Sequence, residues 1–200
     1  MNEPVIIRKI VECLQQGGVV LLPTDTVYGL AVSPDFPAGV DQLYDLKQRP
    51  RSMHLPIMVA DVAAMESLGV AINERARKLL ASDFVPGALT IAIGFAKAPL
   101  VPWLTGREEV AIRIPDDEQL LAVLRQTGPL LVTSANASGY PETPAEVADI
   151  LVQLNGQPDL VIDGGPIKTI PSTLVNCRLD PPVVEREGVI TQGELAPYLL

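Results

Sequence analysis

The chain has 200 residues, 48% of them hydrophobic, which is enough to bury one full-sized core and excludes disorder as the main state. Its formal charge is −9 with an isoelectric point near 4.6, so the average surface repels nucleic-acid backbones and anionic membranes. Four Tyr, three Phe and one Trp are scattered, leaving no ladder of stacking platforms for single-stranded nucleic acid.

Short apolar, β-branched runs alternate with helical patterns, without repeats or low-complexity linkers, so one continuous α/β domain over residues 1–200 is expected. Ile7, Ile10, Val11 and Leu14 fall at helical spacing before Gly17-Gly18, and Val19-Val20-Leu21-Leu22 reads as a buried strand ending at Pro23. Val40, Leu43, Tyr44 and Lys47 mark a second helix, and residues 56–60 a second strand. Asn73 is placed to cap a helix carrying Ala76, Leu79 and Leu80, and Leu89 to Phe95 follows as a strand after the turn Pro86-Gly87. Glu109 to Ile114 reads as a strand, Asp116 to Gln126 as a helix with acids at its start, and Leu130-Leu131-Val132 as a short buried strand. Residues 144–154 look helical. Three strand-like pieces then follow closely, at 160–162, 173–175 and 183–185, too near one another for helical crossovers. Thr191-Gln192-Gly193-Glu194 is a capping box opening a last short helix. The pattern predicts a twisted, mixed parallel and antiparallel sheet flanked by helices.

Rare residues narrow the chemistry. One histidine, His54, and two distant cysteines, Cys13 and Cys177, supply too few ligands for a zinc site of the Cys/His kind and set no disulfide framework. A histidine-dependent nucleophile would rest on His54 alone, in a stretch that reads as a strand edge; a surface or pocket-rim histidine is the plainer alternative. Met1-Asn2-Glu3-Pro4 lacks the pattern of a signal peptide, and no uncharged apolar run approaches the roughly 20 residues of a membrane span, so a reduced, cytoplasmic protein is expected.

Candidate chemistry gathers in a few segments. Pro23-Thr24-Asp25-Thr26-Val27-Tyr28-Gly29-Leu30 follows a strand and offers hydroxyls and a permissive glycine to a ligand, although an ordinary hydrogen-bonded turn uses the same residues. Lys47-Gln48-Arg49-Pro50-Arg51 is a basic island suited to a small polyanion, or a solvated charge run complementing a helix C-terminus. Arg113 inside an apolar strand must be paired, either with a ligand carboxylate or with a structural acid such as Asp116 or Asp117. Thr133-Ser134-Ala135-Asn136-Ala137-Ser138-Gly139 places small polar groups after another strand. Ser172 and Arg186 lie at the ends of two more. No glycine-rich phosphate loop occurs, so a nucleotide would be held by side chains and scattered amides.

The order of these pieces, from Pro23–Leu30 through Lys47-x-Arg49, Pro86-Gly87-x-Leu89-Thr90, Ala111-Ile112-Arg113, Ser134-Ala135-Asn136 and Ser172-Thr173 to Arg186-x-Gly188, resembles the YrdC-like family of threonylcarbamoyl-AMP synthases over nearly the whole chain. The resemblance implies an enzyme, a nucleotidyltransferase, that makes threonylcarbamoyl-AMP and pyrophosphate from L-threonine, bicarbonate or CO2, and ATP. Its product would pass to a tRNA threonylcarbamoyl transferase for the t6A37 modification of tRNA. It further implies Lys47 and Arg49 as catalytic, Thr26, Arg113, Ser172 and the backbone near Val132 as the threonine site, and Arg49, Ser134, Asn136 and Arg186 beside ATP, with Tyr28 shaping the cavity. Mg2+ is expected to arrive with the nucleotide, since no acidic cluster identifies protein ligands for it. Two departures stand out: Met58 occupies a place where family members often carry a histidine, and Val85 one where they often carry a tryptophan. The chain also ends soon after the core, so the pocket is expected to be closed by the core itself. The alternative is a double-stranded RNA-binding module of the same fold, which the net charge and missing aromatic platforms oppose.

Overall fold

The computed structural model describes residues 3–140 and 142–199. Met1 and Asn2 of the signal-peptide reading lie outside the described residues. The apolar stripe of the first segment forms helix α1 (Glu3–Gln15), which buries Ile10, Val11 and Leu14 and ends where Gly17 takes a left-handed φ of 81°. Strand β1 (Val20–Leu22) follows and is fully buried. Helix α2 (Pro37–Lys47) opens on a proline and closes at Gln48, whose left-handed conformation (φ 50°, ψ 41°) turns the chain sharply. Asn73 caps α4 (Glu74–Leu80) by accepting from the Ala76 amide at 2.9 Å, and Asp117 caps α5 (Glu118–Thr127) through the Leu120 amide. Thr191 and Glu194 close a reciprocal capping box at the start of α7 (Gln192–Leu199).

The remaining strands are β2 (Gly29–Val32), β3 (Ile57–Met58), β4 (Leu89–Gly94), β5 (Glu109–Arg113), β6 (Leu130–Ser134), β7 (Leu160–Val161), β8 (Thr173–Asn176) and β9 (Val183–Arg186). With β1 they form one sheet in the order β7-β1-β2-β6-β3-β5-β4-β8-β9. The β1–β7, β3–β5 and β4–β8 pairs are parallel and the others antiparallel, which gives the mixed sheet read from the sequence. Helices α3 (Val62–Glu66) and α6 (Val147–Gln153) complete the set. Among the described residues no helix is long and apolar enough to cross a membrane.

The structure refines three readings. The Pro23–Leu30 segment, which follows β1 as expected, joins antiparallel neighbours and is a hairpin connection running into β2. The expected strand over 56–60 contracts to two residues. Of the three closely spaced strands, β8 and β9 pair with each other, whereas β7 lies at the far edge against β1, because Asp159 and Leu160 bond to Val19.

Candidate functional site

Register builds the floor of the site. Met58 on β3 stands opposite Arg113 on β5, Arg113 opposite Thr90 on β4, Thr90 opposite Leu174 on β8, and Leu174 opposite Arg186 on β9. Paired residues share a face, so these five side chains form one row across the sheet. All five line a single cavity of about 260 Å3. The β1–β2 hairpin supplies Thr24, Thr26 and Tyr28, the end of β6 supplies Val132, Thr133 and Ser134, and Arg49 and His54 come from the stretch after α2. Three guanidinium groups and six hydroxyl-bearing Thr and Ser residues thus face this space, and no carboxylate lines it among the described residues.

Arg113 is the most enclosed cation of the row. Its Nε donates to the Gly87 carbonyl at 2.8 Å, Nη1 to Thr26 Oγ1 at 2.8 Å, and Nη2 to Asp25 Oδ2 at 2.7 Å. The Arg113 and Asp25 side chains are 5% and 13% exposed. The structural acid is therefore Asp25, and the expectation of Asp116 or Asp117 is corrected: Asp117 is occupied as the cap of α5. Burial lowers the pKa of Arg113, and Asp25 opposes that shift. Thr24 orders the hairpin by donating to the Val27 carbonyl at 2.7 Å and accepting from the Thr26 amide.

Ser172 is buried where β8 begins, its hydroxyl 2.8 Å from that of Thr90. Arg186 donates through Nη2 to the Ser172 carbonyl at 2.9 Å; the residue as a whole is exposed, yet partial desolvation of its guanidinium, followed by the nearby charge of Arg113, lowers its pKa. Gly188 explains how β9 comes this close: a Cβ there would fall 2.2 Å from the Pro171 carbonyl oxygen. Tyr28 is fully buried; its hydroxyl accepts from the Gly164 amide at 3.0 Å and donates to the Gly165 carbonyl at 2.8 Å, pinning the loop beside the cavity.

The basic island divides three ways. Arg49 reaches the cavity, donating to the carbonyls of Met53 and His54. Arg51 lies on the helix surface with Asp41 and Asp45 and over the Tyr44 ring. Lys47, expected from the resemblance as catalytic, does not line the cavity. The residue is 2% exposed, and its terminal nitrogen lies beneath the turn after β6, donating to the carbonyls of Ser134 and Asn136. Burial, with a smaller push from Arg49, lowers its pKa to about 7. Asn136 is likewise behind the wall, accepting from Ser134 Oγ at 2.6 Å and donating to the Tyr140 carbonyl at 2.7 Å.

Of the expected site residues, Thr26, Tyr28, Arg49, Arg113, Val132, Ser134, Ser172 and Arg186 therefore meet at one cavity, and Lys47 and Asn136 support it from behind. Sequence reasoning did not single out Asp25 as a partner of Arg113, nor Thr90, whose place in the row follows only from strand register. His54 is exposed at the cavity's edge and in no strand, in keeping with the pocket-rim alternative. Met58 lines the wall and offers a thioether where an imidazole could have bonded. No group of three or more His, Cys, Asp or Glu side chains among the described residues is arranged to hold a metal ion.

Fold and site together define the class: a mixed α/β protein with a concave, cation-lined cavity of small-molecule size. Residues 12–188 match the family model of the Sua5/YciO/YrdC domain, described as telomere recombination. The chain belongs to this family. It is 36% identical over 197 residues to the threonylcarbamoyl-AMP synthase of Bacillus subtilis, covering 97% of this chain and 56% of that protein. Its fold is similar to that of Pyrococcus abyssi Sua5 complexed with L-threonine, with TM-score 0.86 and 30% identity, covering 99% of this chain and 58% of the other. It is also similar to Escherichia coli YciO, with TM-score 0.84 and 27% identity, covering 98% and 94% of the two chains. The chain thus spans little more than half the length of the Bacillus and Pyrococcus relatives.

Proposed function

We propose that the chain is an L-threonylcarbamoyladenylate synthase, a nucleotidyltransferase acting in the cytoplasm. The observation that carries this reading is the cavity itself: three arginines and a set of buried hydroxyls converge on it without a lining carboxylate. Such a wall suits an amino acid together with a nucleotide's phosphates. The name of the Bacillus relative and the L-threonine bound to the Pyrococcus protein support it.

In the reaction, bicarbonate takes up a proton and loses water to give CO2; the threonine ammonium gives up one proton to become the free amine, whose nitrogen attacks the CO2 carbon and releases a second proton to solvent as the carbamate forms. An oxygen of the resulting carbamate attacks the α-phosphorus of ATP, the bond to the bridging oxygen breaks, and pyrophosphate leaves. Alignment and charge neutralisation are the main demands on the protein. On this reading Arg113, Thr26, Ser172 and the backbone near Val132 hold threonine. Arg49 and Arg186 face the phosphates, and Ser134 lies beside them. Lys47 and Asn136 act indirectly, holding the turn that presents Ser134. Magnesium belongs to the nucleotide substrate, and the phosphates supply its ligands. The adenylate would pass to a tRNA threonylcarbamoyl transferase.

Mass spectrometry tests the product. Incubation with ATP, threonine and isotopically labelled bicarbonate should yield an adenylate carrying the labelled carbon and the threonine; formation of unlabelled threonyl-AMP or of ADP alone would contradict the reading.

A further inference from the structure

Asp25 has no task in the reaction as written, yet it changes the electrostatics of the cavity. Among the described residues, Arg113 is the one guanidinium of the wall with a carboxylate partner. Arg49 bonds to the carbonyls of Met53 and His54, and Arg186 to the carbonyl and hydroxyl of Ser172. Those two keep their net charge. Arg113 and Asp25, buried together at 2.7 Å, form a neutral unit whose remaining N–H groups can still donate.

We propose that Asp25 determines which ligand the Arg113 end of the cavity accepts: its carboxylate makes this end suit a net-neutral zwitterionic amino acid and disfavours a phosphate group. A zwitterion brings a carboxylate to the free donors and no net charge. A phosphate brings net charge that the neutral pair cannot offset, so polyphosphate is left to Arg49 and Arg186. The second carboxylate oxygen, Asp25 Oδ1, is buried without a hydrogen-bond partner among the described residues. Asp25→Asn can therefore keep an oxygen on Arg113 Nη2 and place its amide nitrogen where Oδ1 was, removing charge with little change of shape. Arg113 then becomes a buried cation without compensation, a state that any small anion relieves.

The proposal rests on the amino-acid reading of the cavity, and calorimetry without ATP separates the two. L-threonine and inorganic phosphate are titrated, alone and in competition, into the wild type, Asp25→Asn, Asp25→Ser, Asp25→Glu and the double variant Asp25→Asn/Arg113→Met, with folding checked by circular dichroism. Phosphate should leave the threonine Kd of the wild type and Asp25→Glu within about twofold, and raise that of Asp25→Asn or Asp25→Ser about tenfold. The double variant should lose the phosphate affinity that Asp25→Asn gains. Equal competition in the wild type and Asp25→Asn, or phosphate affinity retained in the double variant, overturns the role of Asp25. Absence of threonine binding to the wild type overturns the amino-acid reading instead, and the phosphate arm still decides what Asp25 does. Asp25→Ser keeps the test open should Asp25→Asn fail to fold.

Discussion

Lys47 shows how a residue of a recognised motif takes a place that only the fold reveals. Its position at the end of an amphipathic helix was legible, but the left-handed turn at Gln48 directs Arg49 to the cavity while Lys47 is buried under the β6 turn. A neutral amine has two N–H groups, enough for its two carbonyl partners. With a pKa near 7 in the fold and 10.5 for an ordinary lysine, the unfolded chain carries a proton here that the folded chain lacks between pH 7 and 10.5. Stability should therefore rise with pH across that window and level off below pH 7, where folded and unfolded chains both carry the proton. Melting curves from pH 7 to 9 should show this slope in the wild type and a smaller one in Lys47→Met. The limit of pH 9 avoids Cys177, whose thiol burial pushes up to about 12 and whose contribution has the opposite sign above pH 9. For Arg113, alanine substitution should mainly raise the threonine requirement, by about 2–4 kcal/mol, whereas Arg49→Ala should mainly raise the KM for ATP. Equal losses for both substrates in Arg113→Ala would mark it as structural. The Asp25 partnership was invisible because the two residues stand far apart in sequence and meet only through the sheet.

At the scale of elements, helices were the most legible because their signals are local: apolar spacing for α1 and α2, Asn73 for α4, and the Thr191–Glu194 box for α7. Strand β2 was absorbed into the adjoining hydroxyl-rich motif, and the five-residue α3 is too short to show an apolar stripe. Strand order was illegible, since β7 finds β1 across most of the chain. The β8–β9 pair brings Ser172 and Arg186 together, and Thr173 fastens it. The Thr173 hydroxyl donates to the Ile190 carbonyl and accepts from the amides of Gly188 and Ile190 at 2.9 and 3.0 Å. Thr173→Val leaves these buried groups unsatisfied and should destabilise the fold by about 1–3 kcal/mol per orphaned group, while Thr173→Ser keeps the oxygen and should lose less than half as much. Urea denaturation measures the difference; equal losses would show that side-chain packing, not the hydroxyl, fastens the strands. Gly188→Ala should raise the KM for ATP, because the added Cβ pushes the Arg186 strand from Pro171 and Ser172.

For the molecule as a whole, the net charge of −9 and the cationic cavity are compatible because the positive groups facing the ligand space are few and local. Arg51 and Arg178, by contrast, are paired with acids on the surface, and such pairs leave little field to attract duplex RNA. This charge economy was legible in composition, as was the ordered set of motifs. What could not be read was that most motif residues share one face of the sheet, a fact of register. The central claim is that the cavity joins threonine, a one-carbon unit and ATP, and its most direct test is pyrophosphate release by the purified protein. The account predicts release from ATP only when threonine and bicarbonate are both present. Release that continues undiminished without threonine would contradict it.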